Sequence, residues 1–144
     1  MKDRILETKL RLLTLQLESW KKMHDCITYA LDKGKPIISA DQEKQFTEVR
    51  AILLQETEHV FGELALLAEL SGKAMNVLQR VASLRGVREL SSEDARRLEA
   101  DWNFVFTRLG VTQGQLKTRR KELLNRRAFA HTLIQFFGRK PAAV

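Results

Sequence analysis

Apolar residues recur at alternating steps of three and four residues through the middle of the chain, from Phe46 to Leu84. Ten of the twelve positions in this series are apolar, and the other two are Glu56 and Glu63. A period of about 3.5 residues held over this length is typical of the buried stripe of a coiled coil. The pattern therefore predicts one long helix, helix B, that packs this stripe against other helices.

A series with the same spacing lies on each side of helix B. Helix A is predicted over about residues 2–33, ending at the turn Gly34-Lys-Pro36. Helix C is predicted from about Ser91 to Gly138. Seven of eight stripe positions are apolar in helix A and nine of twelve in helix C. The stripes are Leu6, Leu10, Leu13, Leu17, Trp20, His24, Ile27 and Leu31, then Leu98, Trp102, Val105, Leu109, Thr112, Leu116, Arg119, Leu123, Arg126, Ala130, Leu133 and Phe137.

Local signals set the ends of helix B and its weak points. Ser39 and Gln42 have the spacing of a capping box, so helix B is predicted to begin there. Gly86 is predicted to end it. A glycine inside a helix costs about 1 kcal/mol. Gly72 in helix B and Gly110 in helix C are therefore the positions at which we expect a break if either helix is interrupted.

The three stripes predict an all-α fold: an antiparallel helical bundle or coiled coil of three long helices. We expect residues 1–138 to form one domain and residues 139–144 a flexible tail. Short connections make successive helices antiparallel neighbours. Facing positions in helices A and B then have residue numbers that sum to about 73, and those in B and C to about 179.

The sequence also favours a compartment. No run approaches the roughly 18 apolar residues of a membrane-spanning helix, and the N-terminus does not resemble a signal peptide. The single cysteine, Cys26, cannot form an internal disulfide, which fits a reducing environment. We therefore expect a cytoplasmic protein.

The positive charge is concentrated in the last third of the chain. Residues 1–101 carry 16 Lys/Arg against 17 Asp/Glu, whereas residues 102–144 carry 9 Lys/Arg against one acid, Glu122. Four of these cations lie off the apolar stripe and are candidate contacts for an anion or a nucleic acid. A solvated surface, pairing with acidic residues of the bundle, or an acidic protein partner explains the same run. The four are Lys117, Arg120, Lys121 and Arg127.

The last turns of helix C combine these cations with large apolar residues. An amphipathic helix of this kind can dock on an anionic membrane surface. Packing against helix A accounts for the same residues, and we favour it from the sequence. The residues are Phe129, Leu133, Ile134, Phe136 and Phe137.

Charged residues occupy several stripe positions that face each other in the predicted register. Glu56 and Glu63 fall one layer on either side of Arg119, and Arg126 lies one layer further. Charges at such positions are costly unless they are paired, so the four residues are a candidate ion cluster that fixes the register. Alternatively, they lie at the edge and extend into water, or form a catalytic carboxylate pair.

Helix A is shorter than its neighbours and is expected to cover helix B only to about Leu67. Residues 70–108 would then form a partly uncovered hairpin, whose apolar side chains are candidates for self-association or partner binding. A compact bundle, with helices broken at the two glycines, would bury them instead. The candidates are Met75, Trp102, Phe104 and Phe106.

Patterns for catalysis and metal binding are incomplete. Glu56 and His59 match one Glu-x-x-His unit of a di-iron bundle, which needs a second unit and two further glutamates. His24 and His131 fall near one layer, but two histidines on neighbouring helices are weak evidence for a metal site. We therefore predict no catalytic residue, no metal and no cofactor.

These patterns favour a non-enzymatic, cytosolic, helical protein–protein interaction module, such as an adaptor, a chaperone or an assembly factor. The expected partner is a protein, most simply a helical one, and a homodimer is a second form of the same hypothesis. The alternative is nucleic-acid binding through residues 117–140. A membrane surface is the partner that we expect least.

Overall fold

The structure, a computed structural model, describes residues 2–64 and 68–138. Over these residues the fold is all-α, as predicted, but they form five helices in place of three long ones. Helices A and C correspond to α1 and α5, whereas helix B is divided into α2, α3 and α4. The predicted tail, 139–144, lies outside the described residues. The helices are α1 (Lys2–Leu31), α2 (Ala40–Glu63), α3 (Ala68–Arg80), α4 (Leu84–Arg88) and α5 (Ser92–Gly138).

The prediction of a continuous helix B is wrong, because α3 folds back along α2. The Arg50 side chain donates a hydrogen bond to the carbonyl of Leu78 at 2.9 Å. In a straight helix these residues would be about 42 Å apart. Gly72 lies inside α3, so the break predicted there is also wrong. The apolar side of α3 is buried, including Ala74 and Val77, and this burial outweighs the cost of one helical glycine.

A second break separates α3 from the short helix α4. Ser83 caps α4, because its hydroxyl accepts a hydrogen bond from the backbone N–H of Gly86 at 3.0 Å. Leu84 and Val87 of α4 are buried. The α4 helix therefore closes the end of the bundle at which α1 ends and α2 begins.

The helix pairings follow the predicted registers where the helices remain intact. The buried Gln16 side chain of α1 donates a hydrogen bond to the Thr57 hydroxyl of α2 at 3.0 Å. These residue numbers sum to 73, so the predicted pairing of α1 with α2 is confirmed. Arg80 of α3 forms an ion pair with Asp101 of α5, which lies within one turn of the predicted sum of 179.

The buried face of α2 departs from the 3.5-residue stripe. Phe46 and Leu53 are buried as predicted, but in the next turn Thr57 is buried and Glu56 is exposed. Glu63 is exposed as well. An α-helix with 3.6 residues per turn drifts by about 20° in each heptad from a 3.5-residue stripe, and the change from Glu56 to Thr57 follows that drift. Thus α2 packs as a helix of a compact bundle.

Alanine at Gly110 or Gly114 is expected to stabilise the protein by about 1 kcal/mol each. Helix α5 continues through both glycines, so helix C is not interrupted at Gly110, and an added Cβ at either position meets no atom within 4 Å. Urea unfolding of the variants measures the gain.

Gly86→Ala is the matched control, because its Cβ would lie 3.1 Å from the Ser83 hydroxyl oxygen. It should give a smaller gain or a loss. The same gain at all three positions would contradict the described packing.

Candidate functional site

Helix α5 extends past the end of the bundle. It runs antiparallel to α1, with His24 beside Glu99 at 2.9 Å and Arg120 beside Glu7 at 3.4 Å. Continued at this register, Lys2 lies opposite about residue 125. Residues 126–138 of α5, called here the α5 extension, therefore project about 20 Å beyond the start of α1.

The α5 extension exposes large apolar side chains. Phe129 and Phe136 are each 67% exposed and Ile134 is 70% exposed, while Leu133 is also exposed. The interpretation that they pack against helix A is wrong, because α1 lies beside an earlier part of α5. Exposed apolar patches of this kind are typical of interaction sites.

An open groove adjoins the extension. It lies between the first turns of α1 and the second half of α5, and it is called here the α1–α5 groove. Lys73 of α3 lies over the Phe104 ring, so the first residue of the antiparallel helix α3 lies beside about residue 109 of α5. Helix α3 therefore does not cover the groove, which starts at Val111. The lining residues are Ile5, Leu6, Lys9, Val111, Gly114, Gln115, Leu116, Thr118, Arg119, Glu122, Leu123 and Arg126.

The groove and the extension share one side of α5. Eleven residues make three helical turns plus about 20°, so Phe129 lies above Thr118 and Leu133 lies above Glu122. Thr118 and Glu122 line the groove. The two features therefore form a single surface that runs along α5 from Val111 to Phe136.

The cations of α5 are divided between two sides. Lys117, Arg120, Lys121 and Arg127 centre about 150° away from Phe129, Leu133 and Phe136, whereas Ile134 lies seven residues after Arg127 and shares the basic side. All but Arg120 are exposed, and the Arg120 guanidinium is paired with Glu7. The second half of α5 therefore has a basic side and an opposite side that carries Phe129, Leu133 and Phe136.

The predicted ion cluster is not formed among the described residues. Glu56, Glu63, Arg119 and Arg126 are all exposed, and no ion pair in the described ranges joins either glutamate to either arginine. The reversal of the chain after α2 removes the register on which that cluster depended. Arg119 and Arg126 instead line the α1–α5 groove.

The predicted uncovered hairpin is also not formed. Trp102, which was expected to be exposed on it, is buried. This side chain is only 6% exposed and stacks on Phe106. Met75 and Phe106 pack against the core as partly buried residues. Phe104 is 36% exposed, and Lys73 lies 4.4 Å from the centre of its ring. Their role in binding a partner stays a prediction.

The histidines lie apart from one another. His24 stacks on Trp102, with ring centres 3.8 Å apart, and bonds Glu99. His131 lies on the extension beside Gln135, so the predicted shared layer with His24 is wrong. Within the described ranges, no three His, Cys, Asp or Glu residues are grouped as metal ligands.

Cys26 is held in its neutral form. Burial raises the pKa of the thiol, and the nearby Asp25 carboxylate raises the pKa further. A thiol with a raised pKa is a poor nucleophile, because the thiolate is the reactive species. This environment is that of a structural cysteine at the edge of the core.

In the part of the chain that the structure describes, no helix is both long enough and apolar enough to cross a membrane. Comparison of the chain with protein-family models, with curated proteins and with solved structures gave no match.

Proposed function

We propose that the protein is a non-enzymatic, cytosolic, helical interaction module, an adaptor, chaperone or assembly factor. It binds a helical partner through the α5 extension and the α1–α5 groove. The observation that carries this proposal is the run of exposed apolar side chains on a helix that projects beyond its own bundle.

The size of the exposed apolar surface supports a binding role. A fully exposed Phe offers roughly 200 Å², so Phe129 and Phe136 each present about 130 Å². Together with Leu133, which lies on the same side of α5, they make up roughly 330 Å², which is in the range of the largest patch on a typical monomer. The groove beside them is long and open on one side, the shape that accepts an amphipathic helix.

A photo-crosslinking residue placed at Phe129 tests this proposal. It should crosslink one defined protein in a cell extract, identified by mass spectrometry, and Leu133→Asp should abolish the product. The same crosslinker at Ile52, which is half-exposed on α2, is the matched control. Identical products from both positions, or none from Phe129, would contradict the proposal.

Nucleic-acid binding through residues 117–140 is the second candidate. The exposed ammonium groups of Lys117 and Lys121 on the polar side of α5 favour it. Phosphate contacts weaken steeply as salt is raised, whereas apolar contacts persist. Excess absorbance at 260 nm in the purified protein, removed by salt, would favour this candidate over a protein partner.

A further inference from the structure

We propose that a second copy of this chain occupies the α1–α5 groove. Two chains pair their α5 helices antiparallel about a two-fold axis, and the extension of each chain lies in the groove of the other. This inference rests on the proposed function, because it names an occupant for the same surface.

Each chain carries both halves of this interface. The groove spans residues 111–126 of α5, and the extension begins where the groove ends, on the same side of the helix. Because α5 is continuous from Ser92 to Gly138, the extension cannot fold back into the groove of its own chain. An antiparallel pair centred near residue 124 brings each extension over the groove of the other copy.

The charges on this side of α5 match an antiparallel pair. Glu122 is the single acid in residues 102–144, and it lines the groove together with Arg126. An axis that passes between these positions sets Glu122 of each copy opposite Arg126 of the other. Leu133 then faces Gln115, at the part of the groove lined by Val111 and Leu116.

The area fits a stable dimer. The exposed fractions of Phe129, Leu133 and Phe136, which share the groove side of α5, correspond to roughly 330 Å² in each copy. Two extensions and the groove surfaces that they cover then bury roughly 1,300 Å² in total. A standard stable protein interface buries about 1,200–2,000 Å².

Sedimentation equilibrium on the full chain tests the dimer. The wild-type protein should have twice the monomer mass of 16.6 kDa, and Leu133→Asp should weaken dimerisation by at least about tenfold. Leu133 is exposed in the single chain, so at a concentration low enough for both proteins to be monomeric the variant should keep the unfolding midpoint of the wild type. Ile52→Asp on α2 is the control and should remain a dimer. A wild-type monomer at the highest soluble concentration overturns the inference.

Charge-reversed chains test the antiparallel arrangement. Glu122→Arg chains place like charges across the axis, as do Arg126→Glu chains, so each alone should dimerise about tenfold more weakly than wild type. Mixing the two should restore the dimer, because every pair across the axis then has opposite charges. If Glu122 instead pairs with Arg126 of its own helix, mixing the two variants should not strengthen dimerisation. A mixture that does not regain the dimer mass overturns the antiparallel arrangement.

The two proposals fail in different ways. A monomeric wild-type chain that still crosslinks a different protein from Phe129 overturns the second copy as occupant and leaves the proposed function standing. A monomer with no crosslink overturns both. A crosslink from Phe129 to the same chain, together with the dimer mass, supports the second copy.

Discussion

Replacing Trp102 with alanine is expected to lower the free energy of unfolding by about 3–5 kcal/mol. The indole is buried between His24 and Phe106, and its N–H donates a hydrogen bond to the carbonyl of Trp20 at 3.2 Å. Alanine would leave a large cavity between α1 and α5 and would remove the hydrogen bond from the indole to the Trp20 carbonyl. Urea unfolding followed by circular dichroism measures the loss.

Phe104→Ala is the matched control for this prediction. It removes an aromatic ring two residues away on the same helix, but this ring lies at the surface under Lys73 and Arg108. We expect a loss of about 1 kcal/mol or less, because little buried surface is removed. Equal losses at the two positions would contradict the burial of Trp102.

Arg88→Met is expected to cost about 3 kcal/mol, because the Arg88 guanidinium caps the C-terminal end of α1. Its nitrogens donate to five backbone carbonyls, among them Ala30 at 2.9 Å and Pro36 at 2.6 Å. The last carbonyls of a helix have no partner within the helix and carry partial negative charge. Methionine keeps most of the side-chain volume while removing the charge and all five donated bonds. The loss is read from urea unfolding.

Two variants separate this cap from a general effect of charge. Arg88→Lys keeps the positive charge but cannot span several carbonyls with a planar fork, so it should recover less than half of the loss. Arg85→Met removes an arginine from the same short helix. Within the described ranges the Arg85 side chain makes no hydrogen bond, so this change should cost less than about 0.5 kcal/mol. A neutral Arg88→Met would contradict the capping role.

Much of the fold follows from local signals in the sequence. The turn at Gly34 and Pro36 marks the end of α1, and the capping box of Ser39 and Gln42 marks the start of α2, where both of its hydrogen bonds are formed. The pairing of α1 with α2 follows because the connection between them is short. These features depend on residues close in sequence, for which the physical rules are strong.

The reversal between α2 and α3 could not be predicted in the same way. Helix α2 ends at Glu63 and α3 begins at Ala68, whereas the sequence here is an apolar run that fits the heptad pattern and contains neither Pro nor Gly after Gly62. Burial of α3 against α2 and α5 determines the turn, and this is a tertiary effect. The glycines that were expected to break helices lie inside α3 and α5.

The same reversal explains why the candidate site was assigned to the core. The predicted register ran through a continuous helix B and placed His24 beside about residue 130 of α5. In the structure His24 lies beside Glu99, a shift of about 31 residues or 46 Å along the helix. The amphipathic pattern of the last turns was visible in the sequence. Its exposure depends on this shift, and therefore on the fold.

Hydrogen exchange along α5 tests the central claim that a second copy of the chain covers its extension. A lone helical segment of about 13 residues is marginal in water, so the amides of residues 126–138 should exchange fast when nothing covers them. In the wild-type chain at high concentration we predict slow exchange of these amides. In Leu133→Asp at the same concentration we predict fast exchange of the same amides. Equally fast exchange in both proteins would contradict the account.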